Sequence, residues 1–485
     1  MRNKIMTDSL TLAFVKVLTM MISILSTMIL SRTLSLNEYG TYSTGNILIN
    51  TATSLSALGL LDAVNFYYNG KQAKDRNRYV NTVFFLIVGS GLVSAAILYV
   101  FQSNVIDYFH NPSLKYIYIY LVFRPLLANV GMALQNLQVS IGKAKVVAVR
   151  NFAISLGKLC SIIITAFFTK DIKTIFICLL LIDLISTYLY LRILKENGIF
   201  VNIFKSDFSI IGNILSYCIP MGIYIQSNVI SRNLDKFVIG YFENTEQLAI
   251  YTNCSTKLPF DIVSSTLLIV LIPLLTRFIH QNNYEKSLKI LKGNIKIGYT
   301  ITFSLGVIIM CLSKQAILFL YGDKYLSGSA VFNLYILVDM LNFISFSIVL
   351  GAKGETRLLM MVSCLGLVCN LILNFVFYGL YGFIGPAIAT VVVTFFTNMS
   401  LLYLSAKSLE TSIWKLFDYP HVVKLMVQLI FVAVIINWLK IVFESYNVHY
   451  LLILVILGLL GFVIMFLFNI RELKKTFYDL NKLND

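Results

Sequence analysis

The chain is poor in charge: of its 485 residues 13% are Asp, Glu, Lys or Arg, against 58% hydrophobic. A soluble core of this size carries more charge and fewer long apolar runs, so a soluble globular enzyme is excluded. Histidine is scarce, and the four present (His110, His280, His421 and His449) are scattered over links and helix ends. Cys160, Cys178, Cys218, Cys254, Cys311, Cys364 and Cys369 all fall inside apolar stretches without paired metal-ligand spacing, so they read as packing residues and say little about redox compartment. Long polar links are missing too, the longest running about twenty residues. With no large loop and no polar catalytic cluster, a membrane transferase, polymerase or protease is disfavoured. The first apolar run has spanning length and no small-residue cleavage site after it, so it reads as a retained helix rather than a signal peptide.

What the chain does have is a rhythm of apolar stretches of about 20 residues, the length at which a helix crosses a bilayer with its backbone hydrogen bonds satisfied internally. Fourteen such segments are expected, near 10–30, 41–61, 80–101, 116–137, 146–168, 174–191, 210–230, 248–272, 295–312, 330–350, 358–378, 384–406, 421–443 and 450–469. The fold class is an all-α polytopic membrane protein. Its formal charge of +16 is distributed unevenly: with both termini cytoplasmic, about 23 of the 39 Lys/Arg lie in inside segments and about eight in outside loops. This bias sets topology and accounts for the basic balance without a nucleic-acid partner. The link from Arg277 to Lys296 reads as an amphipathic surface helix, apolar at Ile279, Leu288, Ile290 and Leu291 with lysines opposite.

A weak internal echo suggests two halves. Ser31-Arg32-Thr33-Leu34 resembles Ser231-Arg232-Asn233-Leu234, and the run from Glu38 to Ser43 resembles that from Gln247 to Thr252 in type and order. Six segments lie between the copies, an even number, so the halves would share one orientation.

Arg32, Leu34, Glu38-Tyr39-Gly40 and Tyr42, then Asp235-Lys236, Ile239-Gly240-Tyr241-Phe242 and Leu248-Ala249-Ile250-Tyr251, resemble the polysaccharide flippase branch of the multidrug/oligosaccharidyl-lipid/polysaccharide (MOP) exporter superfamily. Tyr321-Gly322-Asp323-Lys324-Tyr325, the run from Gly351 to Thr356, Asn370-Leu371-Ile372-Leu373-Asn374 and the run from Tyr381 to Thr390 look like that branch's C-terminal pattern, with Pro386 where a small residue is usual. The resemblance implies two six-helix lobes around a central cavity, residues 1–209 and 210–406, with two further helices and a cytoplasmic tail in 407–485. It implies a function as well: alternating access that moves a polyprenyl-pyrophosphate-linked oligosaccharide across the bacterial cytoplasmic membrane to its outer leaflet, for O-antigen or capsule synthesis. A polysaccharide polymerase and glycosyltransferases are the implied partners. The protein is expected to be no enzyme and to need no cofactor beyond coupled H+ or Na+.

Polar stripes on the apolar segments suit such a cavity. The fifth carries Arg150, Asn151, Ser155 and Lys158, the last three on one face at i, i+4, i+7; the fourth carries Arg124, Ala128, Gly131, Gln135 and Gln138. Arg124 is expected about 12 Å inside the outer boundary at 1.5 Å per residue. The first adds Lys16, Thr19, Ser23 and Thr27, and the second Ser43, Asn46, Asn50 and Ser54. An ionisable group at mid-bilayer costs about 2.5–3.5 kcal/mol on insertion scales, so it should face water or a partner. Guanidinium and ammonium groups attract pyrophosphate while amides bind sugar hydroxyls, making Arg124, Arg150, Lys158, Lys16, Asn151 and Gln135 the candidate substrate-binding residues. The competing reading is structural: Arg150 and Lys16 snorkel to the boundary while Arg124 and Lys158 satisfy carbonyls or carboxylates.

Asp183, Asp261 and Asp339 are the candidate ion-coupling residues. Asp261 follows Lys257 by four residues, so the two would largely neutralise each other on one helix face, Asp183 is placed to pair with a fifth-segment cation, and Asp339 with Asn342 could hold a proton or sodium. Pro125, Pro220 and Pro259 are kink sites. Two rivals stay open: a multidrug or cation antiporter of the same superfamily, against which the Arg and Lys surplus argues, and a flippase for the peptidoglycan lipid precursor, whose cargo is chemically close.

Overall fold

A computed structural model describes residues 2–70, 73–169, 171–256, 258, 260, 271, 274–279, 281–344 and 346–482, with side chains in helices described from Val15 onward except at 16, 69, 70, 73, 74, 220, 221, 224 and 481. The chain divides into two compact units, Met1–Ile250 and Tyr251–Asp485. The first holds α1 Arg2–Thr33, α2 Leu36–Ala57, α3 Leu60–Gly70, α4 Ala73–Val100, α5 Gln102–Tyr108, α6 Leu114–Ser140, α7 Ala144–Phe168, α8 Ile172–Glu196, α9 Ile211–Ser231 and α10 Leu234–Phe242. Helix α11, Thr245–Cys254, carries the chain into the second, which continues with α12 Tyr284–Cys311, α13 Ser313–Leu320, α14 Ser329–Leu341, α15 Ile348–Lys353, α16 Thr356–Tyr381, α17 Gly385–Ser408, α18 Tyr419–Ser445 and α19 Tyr450–Lys482. Among the described residues there is no strand, and eight helices are long and apolar enough to cross a membrane, or up to nine when a bent pair counts as one span. The chain is a helical multi-pass membrane protein.

Most expected segments coincide with one helix, and the exceptions have local causes. The 41–61 segment breaks where Leu58 (φ 44°) and Gly59 (φ 75°) turn left-handed, and α3 leaves α2 at 44°. Gly59 is required there, because a Cβ would lie 2.5 Å from the Cys218 carbonyl oxygen of α9. Gly222 answers it from α9, where a Cβ would lie 2.7 Å from the Leu58 carbonyl carbon. Side-chain amides of α6 brace both sides of the break: Asn129 Nδ2 donates to Thr53 O at 3.0 Å and Asn136 Nδ2 to Leu61 O at 3.0 Å. The 330–350 segment likewise splits into α14 and α15, its described intervening residues Phe343, Ile344 and Phe346 being buried. Much of 248–272 lies outside the described residues.

The expected surface helix at 277–296 is corrected. Residues 274–279 are helical, residues 281–283 are not, and from Tyr284 onward the link forms the first turns of α12, with Ser287, Ile290 and Leu291 buried in the second unit's core. The apolar face that suggested membrane-surface packing is spent on protein instead.

The family-like motifs have plain packing roles. Ser35 and Glu38 form a reciprocal capping box that starts α2. Gly40 abuts the Thr245 backbone so closely that no Cβ fits, and Gly385 meets the Phe377 carbonyl in the same way. Pro386 occupies the first turn of α17, where its missing N–H costs nothing. In the first unit α1 packs along α7, while α6 lies among α2, α3, α4 and α8. That central position turns the polar stripe of α6 toward neighbouring helices rather than lipid.

Candidate functional site

Three helices of the first unit bring Arg124 (α6), Lys158 (α7) and Asp183 (α8) together. Lys158 Nζ lies 2.7 Å from Asp183 Oδ1, and Arg124 Nε lies 2.6 Å from Asp183 Oδ2. The Nε–H of Arg124 is directed at Tyr120 Oη, 3.2 Å away, so its contact with Asp183 is coulombic and Oδ2 accepts no aligned hydrogen bond. Side-chain exposure is 19% for Arg124, 30% for Lys158 and 11% for Asp183. The carboxylate is therefore the buried member, the cations reach outward, and the cluster carries one net positive charge.

A second cationic layer lies about 10 Å further along α8, seven residues at 1.5 Å each, at Tyr190. The Arg150 guanidinium sits over the Tyr190 ring, 4.6 Å from its centroid, and donates through Nη1 to Gln138 Oε1 at 3.1 Å. Arg150 Nη2 is buried without a hydrogen-bond partner, and among the described residues no carboxylate approaches Arg150 within ion-pair distance. Tyr190 Oη donates to Asn151 Oδ1 at 2.5 Å and lies 3.5 Å from Gln135 Oε1. Gln138, fully buried, donates to the Tyr190 carbonyl at 2.8 Å.

Five of the six candidate binding residues thus join two adjoining layers. Lys16, the sixth, has a side chain outside the described residues; Asp261 and its neighbours Lys257 and Pro259 lie outside them entirely, as does the Pro220 side chain. Asp183 stands between two cations. Asp339 belongs to the second unit, where it is buried and Oδ2 accepts from the Leu258 backbone N–H at 2.8 Å. Asn342 donates to Val338 O at 2.8 Å, and its Oδ1 accepts from Asn398 Nδ2 at 3.2 Å. No group of three or more His, Cys, Asp or Glu able to hold a metal occurs among the described residues.

Sequence reasoning missed Tyr120 and Tyr190. Tyr190 carried a signal: Asp183, Ser186 and Tyr190 recur at i, i+3, i+7 and all are buried on α8. It also missed a charged cluster in the second unit, where Lys296 Nζ (α12) lies 2.9 Å from both Asp418 Oδ2 and Glu472 Oε2 and ties α18 and α19 to α12. Beside it Thr300 Oγ1 lies 2.9 Å from His421 Nε2. Asp418, just ahead of α18, is held below the usual carboxylate range, chiefly by the Lys296 hydrogen bond.

Solved structures with this fold include the lipid II flippase MurJ in an inward closed conformation (TM-score 0.70, 14% identity, covering 94% of this chain and 97% of that one). An inward-facing multidrug resistance MATE transporter of the MOP superfamily follows (0.66, 13%, 81% and 94%). A MOP superfamily transporter from Pyrococcus furiosus is also similar (0.59, 13%, 83% and 94%). No curated protein sequence matches. Residues 29–330 match the family described as polysaccharide biosynthesis protein. With that match over more than half its length, the chain belongs to the polysaccharide biosynthesis protein family.

Proposed function

We propose that the protein is a flippase that moves a polyprenyl-pyrophosphate-linked oligosaccharide from the cytoplasmic to the outer leaflet, through fourteen spans with both termini cytoplasmic. The observation that carries this reading is the two-layered cationic site: Arg124 and Lys158 share one carboxylate, and Arg150 has none within reach among the described residues. A net positive, partly accessible surface inside apolar helices suits a pyrophosphate, and the adjoining amides of Gln135 and Asn151 suit sugar hydroxyls. An inside-negative potential favours outward movement of such a head group by about 2.3 kcal/mol per charge per 100 mV, so ion antiport through Asp339 is compatible but not required energetically. The reading takes 1–209 and 210–406 as the two lobes of an alternating-access transporter and 407–485 as two added helices and the tail, with a polymerase and glycosyltransferases as neighbours in the pathway.

Deleting the gene tests the reading. Loss of surface glycan with lipid-linked repeat units trapped on the cytoplasmic leaflet supports it; unchanged glycan with altered sensitivity to cationic drugs supports an antiporter. The fold likeness to a lipid II flippase over 94% of the chain favours a second reading, the peptidoglycan lipid precursor as cargo. Intact surface glycan with arrested peptidoglycan synthesis would select it.

A further inference from the structure

At the junction of α12 and α13 with the last turns of α18, the second unit holds a cavity of about 310 Å³ that the cationic site of the first unit does not use. Its wall includes Ser313, Lys314, Gln315, Asn437, Lys440 and Glu444. It lies at the end of α12 opposite the lysine-bearing first turns of that helix. Its volume is at the lower end of the range for small-molecule sites, about 300–1,000 Å³, enough for a head group but not for an oligosaccharide chain.

The lining leaves specific valences open. Lys440 Nζ donates to the Cys311 carbonyl at 2.8 Å and to Asn437 Oδ1 at 3.0 Å, both neutral acceptors, which leaves one N–H to give. Among the described residues neither Lys440 nor Lys314 has a carboxylate within ion-pair distance. Gln315 is 5% exposed and gives its amide N–H to Glu444 Oε1 at 2.8 Å, while its Oε1 is buried without a hydrogen-bond partner. Ser313, Lys314 and Gln315 form the first turn of α13, and Met310 and Cys311, of the same lining, the last turn of α12, so the two helix ends offset each other and the lysines carry the positive charge.

Two cations against the single carboxylate of Glu444 leave the lining net positive and ask for an anionic oxygen, and the orphaned Gln315 Oε1 asks for a donor beside it. We infer that the cavity binds a phosphate ester carrying an adjacent hydroxyl or ammonium. Phosphate oxygens take the N–H groups of Lys314 and Lys440, and the neighbouring donor reaches Gln315 Oε1. A glycerophospholipid head group and the pyrophosphoryl-sugar head of a lipid-linked glycan share this chemistry. The inference rests on the cavity alone and stands or falls independently of the flippase reading.

Native mass spectrometry of the full-length protein in detergent decides it, with dioctanoyl phosphatidylglycerol, farnesyl-pyrophosphoryl-N-acetylglucosamine and dioctanoylglycerol as probes. Wild type is expected to hold one equivalent of the phosphatidylglycerol, and a protein carrying Arg124→Ala/Lys158→Ala, which removes the first unit's cationic site as a second place for the probe, one equivalent of the sugar pyrophosphate. Lys314→Ala and Gln315→Leu should each weaken it about tenfold, the loss of one strong contact. Lys314 is exposed and carries no packing, so its variant should keep a wild-type elution profile and melting temperature even where Lys440→Met does not fold. Preference for the phosphatidylglycerol assigns the site to membrane phospholipid, and preference for the sugar pyrophosphate assigns it to a glycan carrier. No phosphate-dependent binding, dioctanoylglycerol binding equally well, or variants that bind like wild type would each overturn the inference.

Discussion

Replacing Asp183 by Asn removes the carboxylate that Arg124 and Lys158 share, raising the net charge of the cluster from one to two. Exposed ion pairs contribute about 0.2–1 kcal/mol each, whereas breaking a fully buried pair costs about 3–5 kcal/mol because a charge is left uncompensated. With 11% of Asp183 exposed and its cations at 19% and 30%, the two contacts fall between those limits. A loss of about 2 kcal/mol is expected, or up to about thirtyfold in the folded-to-unfolded ratio. The double variant Asp183→Asn/Lys158→Met returns the net charge to one and should recover most of the melting temperature in detergent. It should not recover transport, since one of the cations offered to the pyrophosphate is gone. Proteoliposomes with a fluorescent lipid-linked oligosaccharide and an impermeant quencher read this directly, and an initial rate at least about tenfold below wild type is expected from the loss of one charge-assisted contact. Wild-type transport by the double variant would mean that the cations merely satisfy Asp183, and an unchanged melting temperature for Asp183→Asn would mean that the ion pairs do not hold the helices.

Gly40→Ala should destabilise the first unit by about 1–3 kcal/mol, because its Cβ meets the Thr245 backbone and not a movable side chain; thermal unfolding checks it. Lys296→Met strands Asp418 and Glu472 and should cost about 1–3 kcal/mol. Asp418 has a lowered folded-state pKa, so its contribution is present above the ordinary carboxylate range and is lost as pH falls through the folded value; melting temperature should drop below about pH 4 in wild type, and less so in Lys296→Met. Arg150→Ala should lower the apparent affinity for cargo in the proteoliposome assay by about tenfold, whereas Tyr190→Phe, which keeps the ring under Arg150 and loses only the hydroxyl to Asn151, should lower it less. If Asp339 couples transport to an ion, Asp339→Asn should transport at a rate indifferent to the imposed gradient, whereas a wild-type gradient response would remove it from that role.

Spanning segments were legible because the bilayer imposes a length and polarity that show in single runs of sequence. Breaks inside them were not: the α2–α3 bend depends on Gly59 meeting Cys218, 159 residues away in sequence, and on amides from α6. Helical spacing put Asn151 and Lys158 on one face and Arg124 and Gln135 on another, and the fold brings those faces together. It could not show that Asp183 takes both Arg124 and Lys158, or that Arg150 lies on Tyr190, because such pairings belong to helix packing rather than to any single helix. The Lys296 cluster was invisible for the same reason, its partners lying 122 and 176 residues along the chain. The 277–296 link misled because an apolar face on a basic segment reads alike whether lipid or protein covers it.

The most direct test of the account is the leaflet of the polyprenyl-pyrophosphate-linked oligosaccharide in gene-deleted cells complemented with wild type or with Arg124→Ala/Lys158→Ala. Wild type should return the lipid-linked oligosaccharide to the outer leaflet and restore surface glycan, while the double variant, present in the membrane at the same level, should leave it on the cytoplasmic leaflet. Equal restoration by both proteins would contradict the claim that the cationic site carries the cargo.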